Sequence, residues 1–167
     1  MIDTFQHIQY LIFDVDGVFT DHQMLVTDDG HFLRTMSTRD GYAVKCAATA
    51  GIEMAVITGG KSIGVVNRLR AVGIDIIYTD VHDKGPVFQE ILHEKGWSPE
   101  KVLYMGDDIP DIPCLQMAGL SACPADAVEE VVSICQFVSP RKGGEDCVRD
   151  LIERILKPRG LWPTFSG

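Results

Sequence analysis

The stretch Leu11–Asp21, "LIFDVDGVFTD", decides how the rest of this chain is read. An apolar run with the character of a buried strand stops at Asp14 and Asp16, one residue apart, with Asp21 close behind. Two carboxylates at ~4 Å in a medium of effective dielectric ~20 repel by about 4 kcal/mol. A cation or a proton has to offset that repulsion.

Outward from this stretch, short β-rich runs alternate with helical patterns. The runs are 10–14, 53–58, 74–79, 101–106, 120–123 and 135–139. Between them, "DGYAVKCAATAG" opens on Asp40 as a cap and stops at Gly51. In "SIGVVNRLRAVG" the helix starts after Ser62 and stops at Gly73, and "GPVFQEILHEKG" carries Pro86 in its first turn and stops at Gly96. Strands without in/out alternation are covered on both faces. Their alternation with helices of about ten residues specifies βαβ units, hence an α/β fold with a mainly parallel sheet. One segment breaks the pattern. "HQMLVTDDGHFLRTM" has two β-like runs around Asp-Gly, which reads as a hairpin flap over about 21–36. Placed after the first strand, it lies at the carboxyl edge of the sheet, where open α/β sheets bind ligands.

The 167 residues suffice for one domain, 1–167, with a tail over about 158–167, and no linker, repeat or low-complexity tract divides them. With 46% hydrophobic residues, a soluble globular protein is expected. A formal charge of -9 argues against nucleic acid or an anionic membrane surface as partner. It leaves an anionic small substrate open, since a local cation can reverse the field of one pocket. The five cysteines, Cys46, Cys114, Cys123, Cys135 and Cys147, are odd in number and lack C-x-x-C spacing, and no secretory signal is evident. A reduced, cytoplasmic protein is expected. No apolar stretch approaches the ~20 residues of a membrane span.

The polar residues that do not belong in a core cluster just after strands. Asp14 and Asp16 follow the first, and Thr58, Gly59 and Gly60 the second. Lys84 follows the third, and Asp107, Asp108 and Asp111 the fourth. A parallel sheet puts these strand ends on one edge. Such a density of carboxylates suits a hard divalent cation, Mg²⁺ above all beside a phosphate. Thr58, the Gly59 and Gly60 N–H groups and Lys84 are fit to cradle that phosphate. One ionised Asp can attack phosphorus, and a second, protonated, can serve the leaving alkoxide and then a water. Each motif alone is an ordinary turn or loop; the specificity lies in their order and their places after strands.

In that order, "DVDGVFTD", "ITGG", "DK" and "GDD" resemble the four motifs of the haloacid dehalogenase superfamily of phosphatases, over Tyr10 to about Leu156. The resemblance implies a Rossmann-like three-layer fold without a cap domain. It implies Asp14 as nucleophile and Asp16 as general acid/base, with Thr58, Gly59 and Lys84 on the phosphate. Asp14, the Asp16 carbonyl and Asp107 would hold Mg²⁺, while Asp108 and Asp111 orient Lys84 or a bound water. "STRDGYAVK", "MGDDIPDI", "CPADAVEEV" and "GGEDCVRDLIERIL" followed by "GLW" further resemble the small, capless branch. Members of that branch hydrolyse phosphorylated sugar acids such as 3-deoxy-D-manno-octulosonate 8-phosphate, a step in lipopolysaccharide precursor synthesis. The likeness implies Ser37, Thr38, Arg39, Asp40, Gly41 and Arg68 as substrate contacts. It also implies a homo-oligomer, a tetramer, whose hairpins and tails reach neighbouring subunits. Gly60 and Glu145 stand where many such sequences carry Arg. A 9-phosphorylated nonulosonic acid (KDN or sialic acid type) is therefore the alternative substrate. A phospho-accepting signalling domain or a partner-binding subunit is the alternative class.

Overall fold

The computed structural model describes residues 2–165; Met1, Ser166 and Gly167, the two ends of the expected 1–167 unit and the last residues of the expected tail, lie outside them. The chain begins with α1 (Ile2–Gln6), β1 (Tyr10–Phe13), β2 (Leu25–Val26), β3 (Phe32–Leu33) and α2 (Thr38–Thr49). It continues with β4 (Glu53–Ile57), α3 (Ile63–Val72), β5 (Ile76–Tyr78) and α4 (Lys84–Lys95). The remainder is β6 (Val102–Met105), α5 (Ile112–Met117), β7 (Leu120–Cys123), α6 (Glu129–Val132), β8 (Phe137–Val138) and α7 (Cys147–Leu156).

Six strands form one sheet in the order β5-β4-β1-β6-β7-β8. Every pairing in it is parallel, and β1 at its centre pairs Tyr10 with both Glu53 and Val102. Because side chains alternate along a strand, each strand feeds two cores. Leu11, Phe13, Met54, Val56, Leu103 and Met105 join the helices α2, α3 and α7 on one face. Ile12, Ala55, Ile57, Val102 and Tyr104 join α4 and α5 on the other. This double coverage is why the strands read as unbroken apolar runs. The chain winds outward from β1 through β4 to β5, then returns to the other side of β1 as β6. The reversal between β1 and β6 opens a crevice at their carboxyl ends, the place where such sheets bind ligands.

The helix stops fall where the sequence puts them: Gly73 and Gly96 close α3 and α4 in the left-handed conformation, φ 116° and 67°. The start of α2 differs from the sequence reading. Ser37, not Asp40, is its N-cap, with Oγ accepting from Arg39 N and Asp40 N at 3.2 Å each. A cap must precede the first turn with an extended backbone, and Ser37 supplies this three residues earlier than Asp40.

The hairpin forms as read, β2 against β3, closed by Thr27 N donating to His31 O at 2.9 Å. Its apolar residues Met24, Leu25, Val26, Phe32 and Leu33 are all exposed. The C-terminal tail folds back on its own chain. Trp162 meets the Tyr42 ring edge-on at 6.2 Å, and the Arg149 guanidinium lies 5.2 Å from the Trp162 ring centre. All five cysteines are free thiols. No helix among the described residues is long and apolar enough to cross a membrane.

Candidate active site

Backbone geometry brings the strand-end motifs together. Gly17 follows Asp16 with φ 91°, and a Cβ there would come within 1.8 Å of Asp107 Oδ2. A Cβ on Gly106 would come within 2.4 Å of Asp111 Cγ. Only glycine lets the two acidic loops approach this closely. After them, Asp108 and Asp111 form a reciprocal capping box around the 3₁₀ turn Ile109–Asp111.

The centre is a buried polar network. Lys84 Nζ lies 2.8 Å from Asp14 Oδ1 and 2.7 Å from Asp111 Oδ1. Tyr104 Oη donates to the same Asp111 oxygen at 2.6 Å. Asp111 Oδ2 accepts from the N–H groups of Asp107 (3.0 Å) and Asp108 (3.3 Å). Asp111 is thereby fully occupied: it fixes Lys84 on one side and the acidic loop on the other. The expectation that Asp111 orients Lys84 describes this contact, whereas the Asp108 carboxylate caps its own turn through Ile109 N at 2.7 Å.

The electrostatics follow from three carboxylates around one ammonium. Burial, then the Asp111 charge, push Asp14 well above the usual carboxylate range, against the opposing pull of Lys84. Burial and Asp111 raise Asp107 to about 7. Burial works to lower Lys84, but Asp14 and Asp111 outweigh it and hold the ammonium above its ordinary value. The cluster is short of positive charge, but through Asp107 and Asp111 rather than through the expected Asp14–Asp16 repulsion, since the Asp16 carboxylate lies against Arg34 instead.

The donor set fits a hard divalent cation. Asp14, Asp107 and Asp111 each place an oxygen within 4.8 Å of the others. Asp107 Oδ1 is buried and has no hydrogen-bond partner, which is costly unless a ligand satisfies it. Since the Asp111 oxygens are already engaged, Asp14 and Asp107 are the carboxylates suited to the ion.

A cleft of about 360 Å³ opens over this network, lined by Asp14, Asp16, Gly59, Lys84, Asp107 and Asp111 among others. His22 and His82 also reach its walls. Thr58 is buried beside it, its Oγ1 accepting from Gly60 N at 3.2 Å, in a smaller recess that shares Gly60 with the cleft. A residue the sequence reading passed over, Arg34 at the end of the hairpin, holds the Asp16 carboxylate: Nε lies 2.6 Å from Oδ1 and Nη2 3.2 Å from Oδ2. Nothing in "HFLRTM" marks that arginine, because its partner is fixed by where the hairpin folds. Tyr104 was likewise read only as part of a strand.

Ser37, Thr38, Arg39, Asp40, Gly41 and Arg68 do not line this cleft. Ser37 Oγ donates to Asp146 Oδ1 at 2.8 Å, and exposed Arg39 lies 3.4 Å from Asp146 Oδ2. Arg39 shares a separate basin with Arg141, Asp146, Arg149, Asp150 and Glu153. Arg68 fills the space beside Gly41, where a Cβ would lie 2.4 Å from its Nη2. Thr38 is exposed on the first turn of α2.

Asp40 is buried, accepts from Arg149 N at 2.9 Å through Oδ1, and has no partner for Oδ2. Burial, against the pull of the Arg149 N–H, raises its carboxyl to about 7. The folded protein therefore binds this proton more tightly than the unfolded chain. Its stabilising effect is complete below pH ~4 and is lost as pH rises to about 7. Melting temperatures recorded from pH 4.5 to 8 are expected to show this component, and Asp40→Asn to flatten it. An equal slope in the variant would refute the assignment.

Residues 61–152, more than half of the chain, match a family described as haloacid dehalogenase-like hydrolase. The 3-deoxy-D-manno-octulosonate 8-phosphate phosphatase of Escherichia coli K12 is 36% identical over 97% of this chain and 86% of its own length. The crystal structure of the Yersinia pestis phosphatase of the same name superposes with a TM-score of 0.92, at 34% identity, over 96% of this chain and 86% of that one. The Moraxella catarrhalis phosphatase, solved with magnesium ion, phosphate ion and KDO, gives a TM-score of 0.90 at 28% identity over 93% of this chain and 90% of that one.

Proposed function

This chain belongs to the haloacid dehalogenase-like hydrolase family, and from that premise we propose that it is the Mg²⁺-dependent phosphatase of 3-deoxy-D-manno-octulosonate 8-phosphate, releasing the sugar acid and phosphate. The observation that carries the chemistry is the buried Asp14–Lys84–Asp111 network beside the unpartnered Asp107 oxygen. Asp14 attacks phosphorus through a carboxylate oxygen, the bond to the sugar oxygen breaks, and an aspartyl-phosphate forms. Asp16 gives its proton to the departing sugar oxygen. It then takes one from the water that attacks the same phosphorus and frees Asp14. Lys84, with Thr58 and the Gly59 N–H, holds the phosphoryl oxygens, and Asp111 keeps the ammonium in place. Mg²⁺, held by Asp14, Asp107 and the Asp16 carbonyl, supplies charge that offsets both the carboxylates and the phosphoryl group.

Support for the substrate comes from relatives that match 97% and 93% of the chain. The second reading, a nine-carbon acid phosphorylated at C9, rests on Gly60 and Glu145, which stand where many such sequences carry Arg. The kcat/KM values for both acids and for neutral sugar phosphates, with and without Mg²⁺, test the proposal. The eight-carbon acid is expected to exceed neutral phosphates by ~10²-fold, about 2.7 kcal/mol, within the reach of one or two charge-assisted bonds. A neutral sugar phosphate as best substrate would refute it, and a better nine-carbon acid would move the assignment to that acid.

The same proposal includes a tetramer, a cytoplasmic location and a role in lipopolysaccharide precursor supply. The exposed apolar hairpin supports assembly, since residues 21–36 cannot close a cleft alone. Exposed Thr38 and Arg39 are then free to reach substrate held by a neighbouring subunit, whereas Asp40 and Gly41 are buried in their own chain and are not substrate contacts. Light scattering on the active enzyme decides this, and an active monomer would refute it. The five free thiols suit a reducing compartment, which cell fractionation tests.

A further inference from the structure

Arg34 is borne on an exposed hairpin, yet its own side chain is only 7% exposed. Both oxygens of Asp16 face it, through Nε and Nη2, while Nη1 lies 3.3 Å from Phe32 O on its own strand. The guanidinium thus joins the hairpin backbone to the Asp16 carboxylate in one rigid plane, unlike a solvated surface pair. It sits against the loop after β4, where a Cβ on Gly60 would lie 2.9 Å from Nη2 and 3.4 Å from Asp16 Oδ2. The room left by Gly60 is therefore filled by the Arg34–Asp16 pair. Among the described residues, no other side chain hydrogen-bonds the Asp16 carboxylate.

We propose that Arg34 is a positioning residue for Asp16: Nε holds Oδ1, while Oδ2, the more distant oxygen, carries the proton of the Asp16 carboxyl that passes to the leaving oxygen, and Gly60 is the space this arrangement requires. The proposal rests on the aspartyl-phosphate reading above. Proton transfer is sensitive to placement: a shift of about 1 Å can cost ~10²-fold. Without Arg34, the Asp16 side chain is free to rotate in an open cleft. Loss of placement should matter most where the departing oxygen needs a proton. An alkyl phosphate leaves as a strongly basic alkoxide, whereas p-nitrophenyl phosphate leaves as a weakly basic phenolate and needs little help.

The test is kcat/KM, which reports the steps through phosphoryl transfer to Asp14, for the best sugar phosphate and for p-nitrophenyl phosphate. Arg34→Ala is expected to lose on the order of 10- to 100-fold on the sugar phosphate and less than about 3-fold on the aryl ester. Arg34→Lys should recover part of the loss. Gly60→Ala, which crowds Nη2 without removing it, should show a loss on the sugar phosphate smaller than that of Arg34→Ala. Equal losses on both substrates, or a weakened inhibition by inorganic phosphate in parallel with them, would overturn the proposal by making Arg34 a structural or phosphate-contacting residue. Asp16→Asn separates the two levels. A substrate-selective loss there without one in Arg34→Ala overturns this inference alone, and no selectivity in Asp16→Asn overturns the reading beneath it.

Discussion

The Asp14→Asn protein is expected to fold, to melt no lower than its parent in the absence of metal, and to hydrolyse no phosphate monoester at a measurable rate. The loss of activity follows from the electron pair. A carboxamide oxygen is a poor nucleophile, and an acyl phosphate cannot form on it by the same path. Removing the nucleophile of a covalent enzyme costs on the order of 10⁶-fold. The retention of stability follows from the network. Asp14 is 6% exposed, and burial together with Asp111 and Asp107 disfavours its charge. Removing one of three carboxylates relieves that repulsion, and Lys84 keeps its bond to Asp111 at 2.7 Å. Activity and a thermal melt on the same preparation check this. Turnover within tenfold of the parent would falsify the covalent mechanism, and a collapsed melting temperature would show that Asp14 holds the fold rather than the substrate.

Asp111→Ala should do the opposite, acting first on stability. Four donors converge on Asp111: Lys84 Nζ, Tyr104 Oη and the N–H groups of Asp107 and Asp108. Tyr104 is fully buried and Asp107 nearly so, so no water shell replaces the lost acceptor. Breaking a buried charged pair by removing one partner costs roughly 3–5 kcal/mol. For a chain of this size that is a fall in melting temperature on the order of 10 °C. Turnover should fall as well, because Lys84 would be held by Asp14 alone, through the carboxylate that must attack phosphorus. A melting temperature within about 2 °C of the parent would count against Asp111 as the pin of the site.

The α/β fold, the strand ends and the crowding of carboxylates are legible in the order of the residues alone. Doubly buried strands have to be apolar throughout, so Tyr10–Phe13 and Val102–Met105 are legible without neighbours. A parallel sheet then sends Asp14, Thr58, Lys84 and Asp107 to one edge, whatever the details of packing. Left-handed stops at Gly73 and Gly96 are equally local, since the residue itself carries the conformational freedom.

Packing assigns different parts to residues that look alike in the sequence. Asp107, Asp108 and Asp111 are equivalent on paper. The turn at Ile109–Asp111 buries Asp111 against Lys84 and Tyr104, leaves Asp107 with an unpartnered oxygen, and spends Asp108 on a cap. Ser37 rather than Asp40 caps α2 because a cap is selected by backbone conformation, and Asp40 goes into the core beneath it. Arg34 meets Asp16 across 18 positions of chain. No local pattern encodes that contact, because its partner is chosen by the angle at which an exposed hairpin folds back on the sheet edge.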